Sequence, residues 1–219
     1  HKQDTFEAHG SPLGADEVKA TKENLGWPEE PTFLIPEDAG KHFRRSVVEG
    51  RDREAKWQKL LAGHEKEFPE LHRQWTDFIS GRLAEGWERE IPVFPPDDGP
   101  MATRSAGRDV LNAIAKKIDN LIGGSADLDP STKTALKGKG SFHAIGSGDD
   151  SVQGAPGGEW NYAGANLAFG VREHAMGGIL NGIAAHGGVI PFGATFLIFS
   201  DYMRPAMRLA ALTELPVKY

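Results

Sequence analysis

Apolar positions along this chain change their period from one region to the next. In the middle third they recur at helical spacing. Trp57, Leu60, Leu61, His64 and Phe68 share one stripe, and Leu71, Trp75, Phe78 and Ile79 form another after Pro69. The spacing predicts charged amphipathic helices, a helical linker packing on something larger. Upstream, residues 14–26 read as one helix, acidic at its front and stopped by glycine. The stretch "WPEEPTFLIPEDAG" carries three prolines and is expected to be extended, because proline lacks an N–H and restricts its neighbour. The opening "HKQDTFEAHGSPLG" is polar and irregular.

"PVFPPDDGP" is a stiff connector, and the pattern changes after it. Thr103 is placed to cap a helix carrying Val110, Leu111, Ile114 and Ile118, and "NLIGG" follows as a short buried strand. Residues 129–164 are polar and glycine-rich and read as a long loop. Strand "NLAFG", a helix over 173–185, strand "GGVIPFG", a helix over 201–212 and an incipient strand at "LPVKY" complete the pattern. Strands and helices alternate at the spacing of βαβ crossovers. The expected fold class is therefore α/β, a parallel sheet flanked by helices and preceded by a helical linker region. Such a sheet binds ligands beyond the carboxyl ends of its strands, where Asp127, Glu173 and Phe196 fall. The last strand begins at the end of the sequence, so the chain is expected to be a piece of a longer polypeptide.

Composition narrows the classes. The 219 residues suffice for a sizeable core, and 39% hydrophobic with 26% charged residues is ordinary for a globular protein. A net charge of -6 argues against a nucleic-acid surface. Cysteine is absent, which excludes disulfides and thiolate metal sites and fits a cytoplasmic home. No apolar run is long enough to span a bilayer, and no signal peptide is recognised, so no membrane partner is expected.

Metal-ligand spacing is absent among the eight histidines, and neither a Walker loop, a strand-borne GxGxxG nor a serine nucleophile elbow occurs. Four clusters remain. In "AFGVREHAMGGILNG" Glu173 opens a helix, where a carboxylate is favoured by the dipole even as a simple cap. "LIGGSADLDPS" places Gly123, Gly124 and Asp127 after a strand, where an ordinary turn would also suffice. "TFLIFSDY" spaces Phe196, Phe199 and Tyr202 three apart along one side of a helical turn, a stripe that core packing also explains. His9, in "AHGSPLG", is compatible with any surface loop.

Taken together, "HGSPLG", "GGSADL", "FGVREHAMG" and "GATFLIFSDYMRPAMRLAAL", with the spacers between them, resemble the transketolases, which are thiamine-diphosphate enzymes. The resemblance covers essentially the whole chain. It implies the end of the diphosphate-binding domain over 1–26, an inter-domain linker over 27–100 and an incomplete pyrimidine-binding domain over 101–219. It also implies transfer of a two-carbon ketol unit from a ketose phosphate to an aldose phosphate, in the non-oxidative pentose phosphate pathway.

By matching position, Glu173 would hydrogen-bond the pyrimidine N1′ of the cofactor and sustain the tautomer that removes the thiazolium C2 proton. That role needs a buried carboxyl group able to hold a proton. Phe199, with Phe196 and Tyr202, would stack around the aminopyrimidine. His9 would contact both the cofactor and the polar end of the sugar. Asp127 would lie close to the thiazolium. Arg104 and Ser131 would grip the sugar's phosphate, a task suited to a bidentate guanidinium. Arg172 and His174 are read as structural neighbours.

Two departures from the family stand out. Gly164, Ala165 and Asn166 replace the usual Gly-Arg-Asn, and the Gly-Asp-Gly…Asn signature for metal and diphosphate does not occur. Mg2+ or Ca2+ is implied as a cofactor with ligands outside this chain, and a homodimer with its active site at the subunit interface is implied as the assembly. The alternatives are a related enzyme of the same cofactor, such as a dihydroxyacetone synthase or deoxyxylulose-phosphate synthase, and a non-catalytic chain supplying a dimer surface.

Overall fold

A computed structural model describes residues 2–149 and 151–219. The chain divides into two compact units, residues 1–66 and 67–219, each of which is described by itself. In the first, α1 (Glu7–Gly10) and α2 (Ala15–Asn24) are followed by the long α3 (Glu37–Glu67), which runs up to the boundary. α3 starts directly after Pro36, inside the stretch expected to be extended. Proline restricts the residue before it rather than the one after, and Glu37 and Asp38 favour a helix start. The same rule separates α3 from α4 (Pro69–Ile79). Phe68 leaves helical geometry at φ -132°, ψ 63°, and Pro69 opens the next helix, where its missing N–H is harmless.

In the second unit a five-stranded sheet forms in the order β3-β2-β4-β1-β5, with every recorded pairing parallel. Its strands are β1 (Leu121–Ser125), β2 (Ser141–Phe142), β3 (Trp160–Asn161), β4 (Asn166–Ala168) and β5 (Ile190–Ala194). The helices are α4, α5 (Thr103–Ile114), α6 (Glu173–His186) and α7 (Ser200–Leu212). The parallel α/β class is as expected, and Lys218 begins to pair beside Phe192 as the "LPVKY" pattern predicts.

Three details differ from the sequence reading. Ala102, not Thr103, holds the N-cap of α5, and Thr103 is the first helical residue. That helix ends at Ile114, while Ile118 lies beyond it, still inside the core. The segment 129–164 is not all loop, because β2 and β3 lie within it and extend the sheet. As the strand reading of "NLIGG" expects, Gly123 and Gly124 belong to β1. A side chain at either would run into the backbone of the neighbouring strands, at Phe192 and Leu167.

The core lies on both faces of the sheet, as alternation along a strand requires. Phe192 packs with Ala115, Ile118, Leu121 and Leu136. Its neighbour Gly193 faces the other way, toward Met176 and Leu180 of α6, which join Ala126, Phe169 and Met203 in a second cluster. One side-chain device crosses the sheet. Asn166 accepts the Leu136 N–H at 2.7 Å and donates to the carbonyls of Leu136 at 2.9 Å and Gly140 at 2.8 Å.

Candidate functional site

Parallel register sets the site. Ser125 of β1 lies level with Ala168 of β4 and Ala194 of β5, so the three strands end together. The residues that follow them are delivered to one edge: Asp127 after β1, Glu173 after β4, and Thr195 and Phe196 after β5. This is the carboxyl edge where parallel sheets hold ligands.

Glu173 is the first residue of α6 and is 7% exposed. Arg172 holds the N-cap and makes no side-chain cap bond. The Thr195 hydroxyl donates to Glu173 Oε1 at 3.2 Å. A carboxyl group at a helix N-terminus is favoured by the dipole, but this one is buried and held by a side chain from β5's end, an arrangement that simple capping does not need. Thr195 had no signal in the sequence, because its partner lies 22 residues away.

From Thr195 the chain turns through a 3₁₀ segment, Leu197–Phe199, into α7. The turn stacks Phe196 on Phe199, with centroids 5.9 Å apart, and sets Phe199 against Tyr202 at 5.7 Å. The threefold spacing read from the sequence therefore makes a contiguous aromatic run. Phe196 and Tyr202 are exposed and not packed into the core.

Two cavities open along the same unit. One, of about 670 Å³, is lined by Arg104, Ser131, Thr195, Phe196 and Met203 among others. It thus brings together Arg104 and Ser131, which come from α5 and the β1–β2 connection. Arg108 is neutralised by Asp109 at 2.7 Å, whereas among the described residues Arg104 pairs with no carboxylate. Its charge is left for something else. The other cavity, of about 220 Å³, is lined by Asp127, His143, Trp160 and Gly170. Asp127 itself adopts a left-handed backbone, φ 61°, which aspartate tolerates better than most residues. His143 stacks on Trp160 with centroids 4.8 Å apart. Neither of these two was singled out from the sequence.

His9 lies on α1 in the N-terminal unit and is exposed. Among the described residues no group of three or more His, Asp or Glu is placed to hold a metal ion.

Comparison with known proteins follows the same outline. Residues 99–219 match the family model described as transketolase, pyrimidine binding domain, and residues 1–84 match transketolase, thiamine diphosphate binding domain. The chain is 48% identical over 220 residues to the transketolase of Geobacillus stearothermophilus, covering 100% of this chain and 30% of that protein. It is 44% identical to the transketolase of Bacillus subtilis, covering 98% and 30%. Among solved structures, transketolase from Leishmania mexicana superposes with a TM-score of 0.79 at 34% identity, over 96% of this chain and 29% of that one. Transketolase of Pichia stipitis in complex with sedoheptulose-7-phosphate gives 0.78 at 37%, over 94% and 29%. The chain spans less than a third of the length of these relatives. Shared identity along the whole chain, shared domain models and a shared fold place it in the transketolase family.

Proposed function

We propose that an enzyme containing this chain moves a two-carbon ketol unit from a ketose phosphate to an aldose phosphate with the help of thiamine diphosphate. The observation that carries the reading is the buried Glu173 carboxyl group, held by Thr195 at the shared carboxyl edge of β1, β4 and β5. The donor set suits the pyrimidine end of the cofactor, combining a buried carboxyl group with a partly open aromatic run. Among the described residues no group of three or more His, Asp or Glu is placed to hold a metal ion. Mg2+ or Ca2+ is proposed with ligands outside this chain, because the family's Gly-Asp-Gly…Asn signature does not occur in it.

When bound, thiamine diphosphate supplies the electron sink for breaking a carbon–carbon bond beside a carbonyl. Glu173 would hold a proton at the ring nitrogen facing it. With Oε1 tied to Thr195, Oε2 is left for that nitrogen. Phe196, Phe199 and Tyr202 would fix the ring plane by stacking, and Asp127 would border the thiazolium side. Arg104 and Ser131 would hold the sugar phosphate from across the larger cavity. His9 would contact the cofactor and the polar end of the sugar. The division into 1–26, 27–100 and 101–219 belongs to the same proposal. So does a homodimer with its site at the interface, a reading supported by the exposed apolar residues Val171, Leu197 and Ile198 beside the site residues. A cytoplasmic location is proposed on the cysteine-free sequence, which suits a reducing compartment.

The test is a transfer assay on the enzyme that contains this chain, supplied with thiamine diphosphate, Mg2+, a ketose phosphate and an aldose phosphate. An acceptor lengthened by two carbons is expected. A product of a different carbon count, or decarboxylation of an oxo acid without transfer, would assign the chain to a related enzyme of the same cofactor. Failure to bind cofactor with or without a partner chain would favour the non-catalytic reading.

A further inference from the structure

The two residues assigned to the sugar phosphate come from different elements, and the structure shows what holds them together. Arg104 sits in the first turn of α5, whereas Ser131 sits in the connection between β1 and β2. That connection is internally braced. Ser125 Oγ accepts the N–H groups of Leu128 at 3.1 Å and Asp129 at 2.9 Å. Asp129 Oδ1 accepts those of Thr134 at 2.8 Å and Ala135 at 3.2 Å. Between these braces, Lys133 takes a left-handed backbone at φ 58°, strained for a long side chain. Its ammonium group donates to Ser105 Oγ at 2.9 Å, one residue on from Arg104. A second tether lies further along α5, where Asn112 bonds the backbone of Ala135 at 3.1 Å and Lys137 at 2.9 Å. Asn112 fixes the far end of the connection, and Lys133 fixes the end beside the cavity.

We propose that the Lys133–Ser105 hydrogen bond is a latch that sets the spacing between Arg104 and Ser131, making Lys133 a positioning residue for phosphorylated sugars. This rests on the reading of Arg104 and Ser131 as the phosphate grip. Two contacts converging on one phosphate must be held at a fixed separation, or the entropy of ordering them is charged to each binding event. The bond joins partners 28 residues apart and half-buried, one residue from Arg104 and two from Ser131, both of which line the cavity. The positive charge of Lys133 stays nearby and adds to the attraction for an anion.

The experiment uses the cofactor-loaded enzyme containing this chain. Its KM and kcat are measured for a phosphorylated aldose and for the same aldose without phosphate. Lys133→Met and Ser105→Ala should each raise KM for the phosphorylated aldose about three- to tenfold, the loss expected for one bond to a charged group, with kcat nearly unchanged. Neither should alter KM for the neutral aldose, and Lys133→Arg should restore the phosphorylated value to within about twofold. An unchanged KM in Ser105→Ala, which keeps the charge and removes only the latch, overturns the proposal. So does an equal rise for both aldoses, which would mean general damage. If Lys133→Met does not fold, Ser105→Ala carries the test alone. Arg104→Ala separates the two levels. If it too leaves KM unchanged, the phosphate grip itself falls, and if it raises KM while Ser105→Ala does not, only the latch falls.

Discussion

Gly193 faces the side chains that seat α6 on the sheet, so a single methyl group there probes how the site is held. A Cβ at this position would lie 3.0 Å from Met176 Sδ and 3.2 Å from its Cγ, and closer still to Leu180 Cδ1. Both neighbours are fully buried. Relief requires these side chains, or α6 with them, to shift, and overpacking of this kind costs about 1–3 kcal/mol. Glu173 precedes Met176 by less than one turn of the same helix, while Thr195 follows Gly193 by two residues on the strand side. Any shift of α6 would fall on the 3.2 Å bond between them. Gly182→Ala is the control, since a methyl group there, on α6 itself, meets nothing within 4 Å. It should stabilise by about 0.5–1 kcal/mol, the ordinary helix advantage of alanine over glycine. Urea unfolding followed by tryptophan fluorescence reads both variants. Equal stability of Gly193→Ala and the parent, or the same response from both substitutions, would refute the packing argument.

Two further outcomes follow from single side chains. Asn166→Ala deletes three hydrogen bonds and strands the buried backbone of Leu136, so stability should fall by about 2–4 kcal/mol in the same unfolding assay. Asn166→Asp should also destabilise, because its carboxylate would face two carbonyl oxygens. Thr195→Val removes the donor to Glu173 with little change in volume; proton exchange at the cofactor's C2 should slow about tenfold, and Thr195→Ser should recover most of it. Equal rates in the valine and serine variants would release Thr195 from any positioning role.

Periodicity made the helices and the parallel sheet legible. The stripes through Trp57 and Leu71 became α3 and α4, and the alternation after Gly99 became strands feeding helices. β2 and β3 escaped notice because two residues cannot display a period of two. Gly123 and Gly124 fell within a predicted strand, but their service in close approach between strands was not visible, since it depends on neighbours distant in sequence. The aromatic run was visible because its spacing is local. Thr195, Asn166 and Lys133 were not, since their partners lie 22, 30 and 28 residues away and no local pattern encodes them. Glu173 was legible as an ionisable residue at a strand–helix junction, and its meaning came from the family resemblance.

The central claim is that Glu173 serves as a proton-holding group rather than a helix cap, and Glu173→Gln in the cofactor-loaded enzyme tests it most directly. Glutamine keeps the size and one hydrogen bond to Thr195 but cannot hand on a proton. Hydrogen–deuterium exchange at the cofactor's C2, measured beside thermal unfolding, should slow by about 10²–10⁴-fold, with cofactor affinity reduced far less and the melting temperature nearly unchanged. Normal exchange accompanied by a loss of stability would contradict the account and leave Glu173 as a cap.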